Sequence, residues 1–302
     1  MQGIDRRTFL QSTAVAAAAL ATGSRPVAAA DEKLRLRKAV KFGMVGGDAS
    51  MTDKFKMLKD IGFEGLDMDR PANHDDVKKA QDESGLIVHG VVDYVHWGKP
   101  LSDPSPEVRA AGLEGLKTSL RDCKAYGGTT VLLVPAVVNK QTSYADAYQR
   151  SQEEIRKALP LAGELGVRIL FENVWNNFLL SPLETAKYID EFESPLVGSY
   201  FDVGNVIRYG WPEHWILTLG KRIGKLDIKE YSRKIANEQG VGKGFSAEIG
   251  DGEDGCDWPA VMTALKSIGF SGWATAEVRG GDRKRLEEVS QRMDKIFAGY
   301  GA

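Results

Sequence analysis

From residue 38 onward the chain alternates between short apolar runs and longer stretches whose apolar residues recur every three or four positions. The first pattern fits strands buried in a sheet, and the second fits amphipathic helices. Strands are expected over 40–45, 65–68, 86–92, 129–134, 167–172, 197–202, 224–229 and 272–278. Helices are expected over 52–61, 75–84, 106–126, 144–165, 182–192, 213–222, 258–268 and 282–297. Gly85 and Gly166 stand where two helices should stop, since glycine enters a left-handed cap at little cost. Asp257, ahead of Trp258-Pro259, reads as a helix N-cap.

Eight strands, each followed by a helix, form the pattern of a single α/β domain, a (β/α)8 TIM barrel, and 302 residues are enough to build one. The strands are nearly continuous apolar runs, as expected of a parallel sheet covered on both faces. An open, doubly wound sheet is the competing architecture. It calls for a first turn with G-x-G-x-x-G spacing, which Val45-Gly46-Gly47-Asp48 does not provide. The stretch 232–257, between the seventh strand and its helix, is expected to be an irregular insertion on the face that carries barrel active sites.

Ahead of the barrel, Asp5-Arg6-Arg7-Thr8-Phe9-Leu10 resembles the twin-arginine export signal. An apolar run over 14–21 and the small residues Ala28-Ala29-Ala30 follow it. Residues 1–30 are therefore expected to be a signal peptide and 31–302 the mature barrel. The implied partner is the twin-arginine export machinery, which carries folded proteins, and the implied destination is the periplasm or the outside of the cell. The apolar run is short for a bilayer and no other approaches that length, so no membrane association is expected of the mature form. The formal net charge is −2, and losing three arginines and one aspartate with residues 1–30 would make it −4. Without a basic field, nucleic acid is not an expected partner. Cys123 and Cys256 read as two separate thiols. Assembly into a homo-oligomer stays open.

In such barrels the strand C-termini and the loops after them form the active site. Glu172 ends the fifth strand in Leu170-Phe171-Glu172-Asn173, and Asp202 ends the sixth in Phe201-Asp202-Val203-Gly204-Asn205. Asp227 lies in the seventh, in Asp227-Ile228-Lys229-Glu230, and Glu277 in the eighth, in Ala276-Glu277-Val278. Four carboxylates in apolar strands converge on one mouth, and burying them uncompensated is costly. A divalent metal would offset the charge and polarise a substrate carbonyl. A mouth salt-bridged by Lys225 and Lys229 is the purely structural alternative.

These residues resemble the xylose isomerase-like TIM-barrel superfamily, in its sugar phosphate isomerase/epimerase branch, over most of the chain beyond the leader. The resemblance implies one divalent metal ion held by Glu172, Asp202, Asp227 and Glu277. Relatives usually place histidine where Asp227 stands. An oxygen-only shell favours hard ions, Mn2+ or Mg2+, over Zn2+. The alternative is that Asp227 stands apart from the metal. The resemblance also implies substrate contacts from Asn205, where relatives often carry histidine, and from Lys229. Trp175 and His96, near strand ends, and Arg279, after the eighth strand, are further candidates for substrate contact. The segment Gly250-Asp251-Gly252-Glu253-Asp254-Gly255 resembles a glycine-rich loop of the family.

The implied activity is isomerisation or epimerisation of a small carbohydrate. Glu172 and Glu277 would remove and return a proton next to a carbonyl, through an enediolate held at the metal. Export argues for an unphosphorylated sugar or keto-sugar. A 3-keto-glycoside lyase or hydratase would use the same first step, and a non-catalytic sugar-binding barrel is a further alternative. Phosphodiester hydrolysis fits poorly, because the chain lacks a histidine-rich site and a basic surface.

Overall fold

The computed structural model describes residues 34–301, so the expected signal peptide lies outside the described residues. Eight parallel strands close into one barrel in sequence order. They are β1 (Leu36–Lys41), β2 (Gly65–Met68), β3 (Ile87–Val92), β4 (Thr130–Leu133), β5 (Arg168–Glu172), β6 (Val197–Asp202), β7 (Ile223–Ile228) and β8 (Gly272–Ala276). The ring shuts where Leu36–Val40 of β1 pairs with Gly272–Ala276 of β8. The helices are α1 (Met51–Asp60), α2 (His74–Ser84), α3 (Pro106–Ala125), α4 (Tyr144–Leu165), α5 (Pro182–Asp190), α6 (Val203–Ile207), α7 (Pro212–Leu219), α8 (Arg233–Gln239), α9 (Trp258–Ser267) and α10 (Arg283–Phe297).

The helix boundaries follow local chemistry. Ser50, Ser105, Ser143 and Ser181 each accept a hydrogen bond from a backbone N–H in the first turn of α1, α3, α4 and α5. Asp257 does the same for α9, accepting from the Ala260 N–H, as its place in the sequence predicts. Gly85 and Gly166 end α2 and α4 at φ of 67° and 65°, a left-handed conformation open to glycine without a Cβ clash. The main hydrophobic core lies between the barrel and its helices, where Phe55, Leu58, Leu116, Leu120, Ile155 and Leu286 are buried.

Three expectations need correction. The first strand runs over Leu36–Lys41, not 40–45, and Phe42–Met44 is a 3-10 turn. Arg37 and Lys38 disguise the strand, because their heads leave it: Arg37 lies 3.7 Å over the Trp273 ring, and Lys38 reaches Asp294 on α10 at 2.6 Å. The apolar residues that suggested a strand are instead a buried turn, with Phe42 packed edge-on against Phe55. A short helix not foreseen in the sequence, α6, follows β6 directly, capped by Asp202. The stretch 232–257 is also more regular than expected, holding α8 and a 3-10 segment, Val241–Ser246.

The barrel interior below the mouth is polar. Asp67 of β2 accepts from the Tyr200 hydroxyl at 2.5 Å, and Thr275 Oγ1 lies 3.3 Å from the same oxygen. The Lys225 ammonium donates to the His89 carbonyl at 2.8 Å and to the His89 ring at Nδ1. Burial holds His89 well below the usual histidine range. The other ring nitrogen, Nε2, faces Thr275 Oγ1 at 3.4 Å. Burial lowers Lys225 to about 8. Burial alone would raise Asp67, but His89, Lys225 and Lys41 outweigh it and bring the carboxyl to about 2. Lys225, the alternative counter-ion for the mouth, is thus engaged in this lower layer.

Candidate metal centre

Four adjacent strands deliver the four carboxylates. Glu172 and Asp202 are the last residues of β5 and β6, Asp227 is the penultimate residue of β7, and Glu277 follows β8 immediately. Asp202 and Asp227 are register partners in the β6–β7 ladder. One oxygen from each of the four lies within 4.8 Å of all the others. Asp202 and Asp227 are fully buried, Glu172 nearly so, and the Glu277 side chain is about a third exposed at 36%.

Buried neighbours fix the carboxylates. The Asn205 backbone N–H, in α6, donates to Asp202 Oδ1 at 2.7 Å, and its side-chain amide donates to Glu172 Oε1 at 3.3 Å. Asn173 and Asp202 exchange two hydrogen bonds, at 2.7 and 2.9 Å, which lock the ends of β5 and β6 together. Lys229 stands 2.9 Å from Asp202 Oδ2 and 3.3 Å from Glu277 Oε2. From β1, which pairs with β8, Lys41, the last residue of the strand, contacts Asp227 Oδ2 at 2.9 Å. The sequence reading passed over Lys41, which lay hidden in a misplaced strand.

The electrostatics are those of a crowded acidic cage. Burial, then Glu277, push Glu172 up to about 8. Burial raises Asp202, and it raises Asp227 well above the usual carboxylate range, with neighbouring acids adding to it. Glu277 is the exception. Burial would raise it, but Lys41 and Lys229 outweigh burial and lower it. Burial also opposes the charge on Lys41 and Lys229, yet the surrounding carboxylates prevail and both stay ammonium ions. Asp227 Oδ1 is buried without a hydrogen-bond partner, and Asp202 Oδ2 and Glu277 Oε2 receive no directed hydrogen bond despite Lys229. Buried polar atoms are normally satisfied. Convergent buried oxygens lacking donors are what a cation needs, and an oxygen-only set suits a hard divalent ion. The residues fit such an ion.

The remaining candidates fall at different distances from this cage. Trp175 lies on the loop after β5, where its indole N–H donates to the Asn205 carbonyl at 2.8 Å and its ring packs against Tyr231 and Phe245. His96 is buried, with Nδ1 facing the Val134 N–H at 3.4 Å, and burial lowers it to about 4. Arg279 is exposed, and its backbone carbonyl accepts from Arg285. The glycine-rich loop is organised by Glu230, a buried carboxylate that the sequence reading did not single out. It accepts from the Gly250, Tyr231 and Cys256 N–H groups and from the Trp258 indole N–H, at 2.9 to 3.1 Å. Cys123 and Cys256 are both free thiols. Among the described residues no helix is long and apolar enough to cross a membrane.

Comparison with known proteins agrees with this architecture. The family model described as "Xylose isomerase-like TIM barrel" matches residues 55–296, and a twin-arginine translocation pathway signal sequence matches residues 3–23. A 2-epi-5-epi-valiolone 7-phosphate 2-epimerase from Actinoplanes sp. is 25% identical over 154 residues, 51% of this chain and 53% of that one. The chain thus matches only about half the length of this curated relative. The 3-keto-D-glucoside 4-epimerase of E. coli superposes with a TM-score of 0.70 at 16% identity, covering 87% of this chain and 99% of that one. A D-psicose 3-epimerase from Clostridium cellulolyticum H10 does so with a TM-score of 0.70 at 15% identity, covering 86% and 98%. At such identities the structural likeness speaks for the fold. The chain carries an export signal and belongs to the xylose isomerase-like TIM-barrel family.

Proposed function

We propose that this protein is a metal-dependent sugar epimerase or isomerase that acts after export, with a mature chain beginning near Asp31. The observation that carries the reading is the cage itself: four carboxylates from four strands within 4.8 Å, with Asp227 Oδ1 buried and unpartnered. The epimerase names among its relatives support the same reaction class. Glu172, Asp202, Asp227 and Glu277 would hold the ion, with Mn2+ or Mg2+ preferred. When bound, such an ion supplies Lewis acidity toward a carbonyl or hydroxyl oxygen.

The chain's own residues supply the rest. Glu172 and Glu277 flank the cage and are placed to take a proton from a carbon next to a carbonyl and to return it. Lys229, between Asp202 and Glu277, is placed to donate to a substrate oxygen. Asn205 holds Glu172 and Asp202 while Trp175 braces it from behind. His96 and Arg279 are assigned to substrate orientation on the rim. Delivery to the periplasm or the medium favours an unphosphorylated sugar or keto-sugar as the substrate.

A 3-keto-glycoside is a second substrate reading with its own observation. A cavity of about 560 Å3 lies beside Asn173 and Asn205, lined by Trp175, Phe178, Tyr209 and Trp215. Its apolar wall suits a group attached to the sugar, and lyase or hydratase chemistry on such a glycoside begins with the same proton removal. The test is incubation of Mn2+-loaded protein with ketoses and 3-keto-glycosides in D2O. Deuterium entering one C–H position is expected, and product stereochemistry then separates epimerisation from elimination. No exchange with any of these substrates would remove proton-abstraction chemistry. If Glu172→Gln and Glu277→Gln left every cellular phenotype unchanged, the protein would be a sugar-binding barrel.

A further inference from the structure

The cage has two ammonium groups, and they are not equivalent. Lys229 lies at its rim, shared between two carboxylates, with 16% of its side chain exposed. Lys41 is 7% exposed, enters from β1, the strand next to β8, and contacts one carboxylate, Asp227, at 2.9 Å. Its aliphatic stem and head run beside the Tyr200 ring, 4.9 Å from its centre. Tyr200 is itself fixed to Asp67 and Thr275 in the polar layer below. Lys41 is therefore a permanent part of the cage, whereas Lys229 is free to exchange its carboxylates for a substrate oxygen.

The pairing also divides Asp227 by atom. Oδ2 takes the lysine, and Oδ1 is left buried with no partner. With an ion bound and all four carboxylates ionised, two ammonium groups leave two negative charges, the number that one divalent cation neutralises. Without Lys41 three would remain, matching a trivalent ion. We propose that Lys41 sets the charge selectivity of the metal centre, by cancelling one carboxylate and holding Asp227 so that only Oδ1 is offered to the ion. This rests on the metal reading given above and adds to it a positioning residue outside the ligand set.

The test uses two probes of similar radius and different charge, Ca2+ and Tb3+, both bound through oxygen. Tb3+ binding is followed by its luminescence on the full mature protein, and Ca2+ by competition. In Lys41→Gln the preference for Tb3+ over Ca2+ is expected to rise about tenfold or more, because a buried unit charge acts more strongly on the more highly charged ion. Asp227→Asn is expected to lower the same ratio. Lys41→Gln/Asp227→Asn restores the charge count and is expected to return to within about threefold of wild type. If Lys41→Gln does not fold, as read by circular dichroism, the comparison of Asp227→Asn with the double variant carries the same information. The double variant must then show the higher ratio. A wild-type protein that binds neither ion overturns the metal reading and this inference together. A wild-type protein that binds both, with a ratio insensitive to Lys41, overturns this inference alone.

Discussion

Glu172 and Glu277 are three strands apart in order of appearance yet face the same cage, and their surroundings drive them in opposite directions. Burial and a neighbouring carboxylate hold the Glu172 proton, while two lysines keep Glu277 ionised. Replacing either with glutamine is expected to slow turnover by at least about 100-fold. Because Glu172 already holds a proton in the metal-free cage, Glu172→Gln should leave the melting temperature of metal-free protein nearly unchanged at neutral pH while shrinking the shift produced by Mn2+. Calorimetry with and without the ion checks both. Asp93 offers an independent test away from the cage. It is buried after β3, accepts from Ser119 and the Val95 N–H, and burial pushes its carboxyl up to about 6. The folded state thus binds its proton more tightly than the unfolded chain, where a value near about 3.9 is normal. Its contribution to stability is full below about pH 4 and is lost as pH rises through about 6, a difference on the order of 2–3 kcal/mol. Asp93→Asn should flatten that fall, as read by urea unfolding at pH 4 and pH 7. The four carboxylates of the cage were legible because a lone acid in an apolar strand breaks the pattern. Lys41 was not, because lysine in a run with Arg35, Arg37 and Lys38 looks like solvated surface.

At the scale of elements, helices with a cap residue at one end and glycine at the other were read to within a residue or two, as α2 and α4 show. The first strand was displaced because its outward residues are charged and find partners only in the closed barrel, Trp273 on β8 and Asp294 on α10. The loop between β7 and α9 was read as irregular because its order comes from one distant carboxylate. Glu230 collects four donors from Tyr231, Gly250, Cys256 and Trp258. Glu230→Gln places a donor against other donors and should cost about 2–4 kcal/mol. Faster hydrogen exchange at Gly250 and Cys256, with β4 and β5 unaffected, is the expected signature.

For the whole molecule, the proposed metal centre predicts that stability depends on the ion. An ion at one hundred times its dissociation constant stabilises the folded state by about 2.7 kcal/mol. For a barrel of this size that corresponds to a rise in melting temperature of roughly 5–10 °C, reversed by a chelator. Differential scanning fluorimetry with Mn2+, Mg2+ and Zn2+ checks the size and the order. The barrel was legible as a whole because eight repeats of one pattern leave few topologies. Its interior was not legible, since no periodicity announces that Asp67, His89, Tyr200, Lys225 and Thr275 meet in one layer. That layer has a consequence for timing. Its hydrogen bonds join residues 75 to 208 positions apart, and the Lys41–Asp227 contact spans 186. Thr275 is the one member of the layer on β8, so Tyr200 and Asp67 gain this partner only when the last strand arrives. Long-range closure of this kind is slow. The polar layer is therefore complete only once β8, which carries Thr275, has paired with β1 and sealed the ring.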